Sequence, residues 1–244
     1  MTTEPSPSIG RDISAIGRCA LVGAGRLGSA LAAALPGVEG PFGRGFDGAG
    51  YDVLLLTVSD SEIAAAAAAI APGRLVGHCA GAIGLAVLAP HEAFGLHPLM
   101  TVTRDGAVFA GAGAAVAGST PRALEVARAL ARLLEMQAVE IRDDDRAAYH
   151  AAASIASNFL VTLEDAAEVL LRTTGAPRAI LVPLVRATLE NWAKLGGRDA
   201  LTGPIARGDE ATVRRQRAAV ADRTPDLLDL FDALAERTRA LAAR

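Results

Sequence analysis

The segment Leu21-Val22-Gly23-Ala24-Gly25-Arg26-Leu27-Gly28-Ser29-Ala30-Leu31 constrains this chain more than any other. It sets GxGxxG directly after the apolar run Cys19 to Val22 and directly before an alanine-rich helical stretch. A dinucleotide pyrophosphate requires that strand–turn–helix context. The first glycine makes the tight turn, the second lets the backbone approach the phosphates, and the third lets the helix pack on the strand. The anion then meets the free N–H groups of a helix N-terminus. Glycine supplies 25 of the 244 residues, so the motif alone is weak. Its position at the head of a strand/helix alternation gives it weight.

That alternation continues. Val38 to Phe42 reads as a strand, and Asp52 to Val58 is a continuous apolar run typical of a strand buried on both faces. Ser59 or Asp60 can cap the helix that follows, with carboxylates in its first turn. Arg74 to Cys79, Ala93 to Leu96 and Ala114 to Gly118 read as further strands. Pro121 to Met136 is an amphipathic helix opened by a Thr120 cap and a proline in its first turn. Near Asp143-Asp144-Asp145 the character changes, and only helical patterns follow, over 145–173, 177–195, 208–221 and 225–242. The expected fold is α/β: a Rossmann-type parallel sheet domain over 15–143, then an all-α domain over 144–244. Residues 1–14 are expected to be a flexible tail; Met1 to Ile9 has neither the basic nor the apolar region of a signal peptide.

Composition closes off several classes. A net charge of −3 gives no reason to expect nucleic acid or an anionic membrane as partner, and no apolar run approaches a membrane span. Cys19 and Cys79 fall in expected buried strands without metal-like spacing, as small core residues of a reducing, cytoplasmic setting. Of the 24 basic residues only Lys194 is a lysine.

An NAD-specific site needs an acidic residue about 20 positions past the first glycine, to bond the ribose 2′-hydroxyl. Here that stretch is Gly43-Arg44-Gly45. A guanidinium there grips a 2′-phosphate in a charge-assisted pair of about 1.5–3 kcal/mol, which favours NADP(H) over NAD(H). The alternative is a solvated surface arginine. The expected cofactor-binding set is Gly23, Gly25, Arg26, Leu27, Gly28 and Arg44, with Val58 and Ser59 after the next strand.

One helix face is unusual. At about 100° per residue, His150, Ser154, Ser157 and Asn158 fall within one arc, while Ile155, Phe159, Leu163 and Ala167 lie opposite and are expected to face a core. Neutral hydrogen-bonding groups suit a cleft, or equally a helix–helix contact, better than open water. Two loops are candidates to meet that stripe: Gly95-Leu96-His97-Pro98-Leu99 at a strand's C-terminal end, and Thr202 to Asp209 between helices. His97 reads as a proton donor or as a histidine packed beside the sheet. Arg207 reads as a carboxylate ligand or as a partner of Asp209 that fixes the turn. His78 and His91 read as structural.

His97-Pro98-Leu99 after a strand, Tyr149-His150-Ala151-Ala152-Ala153 with Ser157-Asn158 on a long helix, and Leu201-Thr202-Gly203-Pro204-Ile205-Ala206-Arg207-Gly208-Asp209 form a set. From about residue 15 onward the chain resembles the Rossmann-like oxidoreductases with a helical C-terminal domain of unknown function. These are related to pyrroline-5-carboxylate reductase, prephenate dehydrogenase, ketopantoate reductase and the β-hydroxyacid dehydrogenases. The resemblance implies NAD(P) binding at the cleft between the domains and a homodimer built through the helices. It departs from the better-known relatives where they place a catalytic lysine followed four residues on by asparagine. His150 occupies that region here, with Ser154 four and Asn158 eight residues later. His150 is then the expected acid/base, with Ser154 and Asn158 orienting the substrate and His97, Ser157 and Arg207 binding it. A second departure is Cys79-Ala80-Gly81, where a small hydroxylated residue is usual before the glycine. The expected activity is hydride transfer between NADP and a small carboxylate-bearing substrate, a 2-keto or 2-hydroxy acid such as ketopantoate, or a cyclic imine. The alternative is a non-catalytic NADP-binding sensor or partner protein.

Overall fold

The computed structural model describes residues 16–104 and 106–244; the tail expected over 1–14 lies outside them. Contacts divide the chain into two compact units, one ending at Ser157 and one running from Asn158 to Arg244. The sequence pattern turns wholly helical earlier, just after the last strand ends at Glu140.

The first unit is built on a seven-stranded sheet of β1 (Cys19–Val22), β2 (Glu39–Phe42), β3 (Val53–Leu56), β4 (Leu75–His78), β5 (Glu92–Leu99), β6 (Gly113–Gly118) and β7 (Gln137–Glu140). Their order is β2-β1-β3-β4-β5-β6-β7, and every pair is parallel except β5 with β6. The apolar run of β3 is explained by burial on both faces. Val53 and Leu55 join a core with α1 (Arg26–Ala34) and α3 (Pro121–Leu133), whereas Leu54 and Leu56 join one with α2 (Ile63–Ala69). Cys19 and Cys79 are buried free thiols whose pKa burial pushes up to about 12, which leaves them protonated and inert.

Some local expectations hold and others shift. Thr120 caps α3 by accepting from the Ala123 N–H, with Pro121 in the first turn. Before α2, neither Ser59 nor Asp60 gives a side-chain cap. A 3₁₀ turn at Asp60–Glu62 intervenes, and the Ser59 hydroxyl donates to the Glu62 carboxylate instead. β5 is longer than the sequence suggested: His97, Pro98 and Leu99 belong to the strand and not to a loop, paired with Ala115, Ala114 and Gly113 of β6. β4 has already ended opposite Gly95, so Pro98, which has no N–H, falls where only one neighbour remains.

The expected single helix over 145–173 is α4 (Arg146–Ser154), a π-helical stretch at Ile155–Phe159, and α5 (Leu160–Arg172). The wider i→i+5 turn breaks the 100° spacing, so Ser157 and Asn158 do not simply prolong the face of His150 and Ser154. On the opposite face Ile155 and Phe159 are exposed, whereas Leu163 is half-buried beside Leu227, Leu230 and Phe231.

The second unit holds α5, α6 (Leu181–Ala200), the short α7 (Gly203–Ala206), α8 (Glu210–Arg223) and α9 (Leu228–Ala242). Val213, Val220 and Ala235 are buried where α8 and α9 pack, and Arg217 grips Asp232 through two nitrogens at 2.7 and 2.8 Å. Gly196 adopts φ 78° and kinks α6, which otherwise runs on to Ala200 past the expected break. No helix of the described residues is long and apolar enough to cross a membrane.

Candidate functional site

β1 carries the chain into Gly23, whose φ of +115° folds the backbone beneath the sheet's C-terminal edge. The Gly23 N–H donates to Phe42 O at 2.9 Å, which ties the turn to the end of β2. On the other side Thr57, just past β3, donates its hydroxyl to Val22 O and Gly23 O at 3.1 and 2.7 Å. Thr57 was not among the expected site residues. The only sequence signal is a hydroxyl ending an apolar strand.

The three glycines differ in kind. A Cβ on Gly28 would overlap the Gly23 carbonyl oxygen, and one on Gly23 would strike the Thr57 backbone, so the fold requires both. Gly25 has φ −70°, which any residue adopts, and a Cβ there would meet only Thr57 O, at 3.9 Å. It precedes α1 with no side-chain cap and no acidic residue in the helix's first turn. The first-turn N–H groups of α1 therefore have no intrahelical acceptor and no side-chain cap, an arrangement that suits an anion. Arg26 is exposed at its edge and Leu27 half-buried.

Along the C-terminal edge the ends of β2, β1, β3, β4 and β5 stand side by side, about 4.8 Å apart per strand. The chain crosses from one side of β1 to the other between β2 and β3, which makes the crevice beside β1 the switch point where open α/β sheets bind ligands. Arg44, beyond the end of β2, pairs with Glu62, beyond β3, at 2.7 Å. Its side chain is 91% exposed, so this pair is weak and yields readily to a better anion. Val58 and Ser59 lie between, Ser59 bonded to the same Glu62.

Past β4 the edge changes character. Gly81 lies against two imidazoles: a Cβ there would fall 2.5 Å from His150 Cδ2 and 2.9 Å from His97 Nε2. The Cys79-Ala80-Gly81 stretch thus carries no hydroxyl but brings the two histidines over bare backbone. Their ring centroids are 6.0 Å apart. His97 Nδ1 lies 2.8 Å from the Tyr149 hydroxyl oxygen, with the rings perpendicular. Burial, with the charges of His150 and Arg146 beside it, holds the His97 pKa down to about 4. His97 is therefore neutral at physiological pH. Tyr149, quoted in the sequence only as the first residue of a helical segment, was given no role there.

Beneath this pair Arg146 is 1% exposed. Its Nε donates to Asp143 Oδ1 at 2.8 Å, and one terminal nitrogen lies against Gly95 without a hydrogen-bond partner among the described residues. Asp143 also accepts from the Leu85 N–H at 3.0 Å, so α4 and the loop after β4 are fastened together. His78 is structural as expected. Its Nδ1 accepts from the Ala80 N–H at 3.2 Å, which fixes its other nitrogen as the donor toward Gly84 O. His91 bonds Ala67 O at 3.0 Å.

Of the expected residues the first unit thus assembles Gly23, Gly25, Gly28, Arg44, Val58 and Ser59 along one edge and His97 and His150 further on. Ser154 and Ser157 are half-buried in that unit, whereas Asn158 opens the second. Arg207 ends α7 in the second unit, and Asp209 is committed to capping α8 through the Thr212 N–H.

No curated protein matches this sequence. Among solved structures, a Thermotoga maritima protein shares 20% identity over 93% of this chain and 100% of its own, with a TM-score of 0.81. A candidate NADP oxidoreductase from Bacteroides fragilis shares 22% over 92% and 98%, at 0.76. The 1-pyrroline-5-carboxylate reductase of Streptococcus pyogenes shares 13% over 92% and 98%, at 0.61. These likenesses describe the fold. Residues 112–238, more than half of the chain, match the family described as Domain of unknown function (DUF2520), and the chain belongs to that family.

Proposed function

We propose that this protein is an NADP-dependent oxidoreductase that reduces a small, carboxylate-bearing substrate. The observation that carries the reading is Gly25: a glycine that no neighbour among the described residues requires, at an uncapped helix N-terminus on the switch-point edge. An approaching diphosphate accounts for it. The N–H groups of residues 25–28 would hold that diphosphate, Arg44 the 2′-phosphate at the β2 end, and Val58 and Ser59 would flank the chain of the cofactor. The name of the Bacteroides fragilis protein points the same way.

When bound, the dinucleotide supplies a hydride. The chain's own residues supply the rest. His150, exposed beside Gly81, is placed to give or take the proton, and Ser154 lies one helical turn further along α4. A histidine pair on bare backbone favours turnover over mere sensing, since a sensor has no use for a proton-transfer group there. Substrate binding by His97, Ser157 and Arg207, and orientation by Asn158, complete the proposal.

A homodimer through the helical part belongs to the same reading. Phe159 and Trp192 are 56% and 60% exposed, and Leu184 and Leu195 share the Trp192 side of α6. The buried free thiols suit a cytoplasmic setting. Fluorescence titration with NADPH and NADH, followed by a screen of NADPH oxidation against small 2-keto acids and cyclic imines, tests the whole. Tight NADPH binding with turnover supports it; tight binding without turnover favours a sensor; no binding of either nucleotide refutes it.

A further inference from the structure

We propose that Tyr149 is a positioning residue that fixes His97 as a permanent N–H donor over Gly81, and that this donor selects a carbonyl substrate over a protonated imine. The inference rests on the oxidoreductase reading and narrows its substrate class.

The first step concerns which atom carries the proton. His97 Nδ1 and Tyr149 Oη are 2.8 Å apart, so one donates to the other. A phenol is the better donor and an imidazole nitrogen the better acceptor, so the Tyr149 O–H donates to Nδ1. A neutral imidazole holds one N–H, which then sits on Nε2. Nε2 is the atom that lies over Gly81, on the side of the ring that His150 also faces.

The second step concerns charge. The groups around His97 are His150, Tyr149 and Arg146 from α4, His78 from β4, and Asp60 from the turn after β3. Arg146 is a buried cation with, among the described residues, a single carboxylate partner, Asp143, and one nitrogen unpaired. Burial first, and then the charges of His150 and Arg146, make His97 resist protonation. A neutral imidazole N–H can stabilise negative charge that develops on a carbonyl oxygen as hydride arrives, without itself losing the proton. His150 remains as the separate group that gives the proton.

The third step concerns the substrate. A carbonyl oxygen accepts the Nε2–H. A protonated imine nitrogen has no lone pair to accept it. The site therefore favours an oxo compound over a cyclic iminium.

The test is direct. The full-length protein is labelled with ¹⁵N-histidine, and long-range ¹H–¹⁵N spectra are recorded from pH 8 to pH 5, His97→Gln identifying the His97 signals. The expected result is the Nε2–H tautomer, neutral throughout. Tyr149→Phe, which keeps the perpendicular ring but removes the hydroxyl, should give a mixed tautomer without loss of the folded spectrum. An Nδ1–H tautomer in the wild type, or a Tyr149→Phe spectrum identical to it, overturns the proposal. In the NADPH assay a 2-keto acid should exceed a cyclic imine by at least about tenfold in kcat/KM; the reverse order overturns the selectivity. Failure of NADPH to bind at all would remove the oxidoreductase reading, while the tautomer result stands or falls by itself.

Discussion

The Thr57 hydroxyl reaches the Gly23 carbonyl oxygen at 2.7 Å, and a Cβ on Gly28 would collide with that same oxygen. One atom thus links strand, turn and helix. Thr57→Val should cost about 1 kcal/mol, the net value of a hydrogen bond whose acceptors are left without it. Gly28→Ala should cost more, about 1–3 kcal/mol, through overpacking against backbone that cannot move aside. Gly25→Ala should leave the melting temperature nearly unchanged and weaken NADPH. Thermal melts paired with nucleotide titration separate the three.

Arg44 and Glu62 give a prediction of opposite signs. Arg44→Ala should weaken NADPH about tenfold to a hundredfold and leave NADH within about twofold. Glu62→Gln removes the competing carboxylate and should tighten NADPH. Equal losses for both nucleotides in Arg44→Ala would sink the 2′-phosphate assignment.

The depressed pKa of His97 makes the fold acid-sensitive. The unfolded chain binds a proton there near the ordinary value of 6.5, the folded chain only at about 4. Between those values the unfolded state holds more protons, so stability falls as pH drops through that window, by about 3 kcal/mol at most. His97→Gln should flatten the fall in denaturant midpoints measured from pH 7 to pH 4.

Much of this was legible beforehand. The glycine turn, the doubly buried run of β3 and the Thr120 cap are local patterns, and local patterns survive folding. The antiparallel β6 and the extension of β5 were not legible, because strand direction is set by partners distant in sequence. The Tyr149–His97 bond escaped for the same reason: the two residues are 52 positions apart. The π-helical turn at Ile155–Phe159 defeated an argument that assumed one constant angle per residue.

Asp143 and Arg146 should respond unequally to mutation. Asp143→Asn leaves a buried guanidinium uncompensated and should cost on the order of 3 kcal/mol. Arg146→Met removes the buried charge itself and leaves a carboxylate that water reaches, so it should cost less. Urea midpoints of the two variants at pH 7 check the order.

Sedimentation velocity tests the proposed dimer. Trp192→Glu should shift the protein to monomer with its far-ultraviolet spectrum intact; an unchanged sedimentation coefficient would argue against the α6 face.

Gly23 and Gly28 are held by the fold, so any descendant that still folds keeps them, whether or not it still binds a nucleotide. Gly25 has no such protection. In a lineage that abandoned its ligand, drift would reach this position first, and an ordinary side chain would settle there at little cost. If residue 25 is held by a bound nucleotide as proposed, it would serve as a record of selection: across related genomes, its identity would separate copies still kept for binding from copies that merely persist.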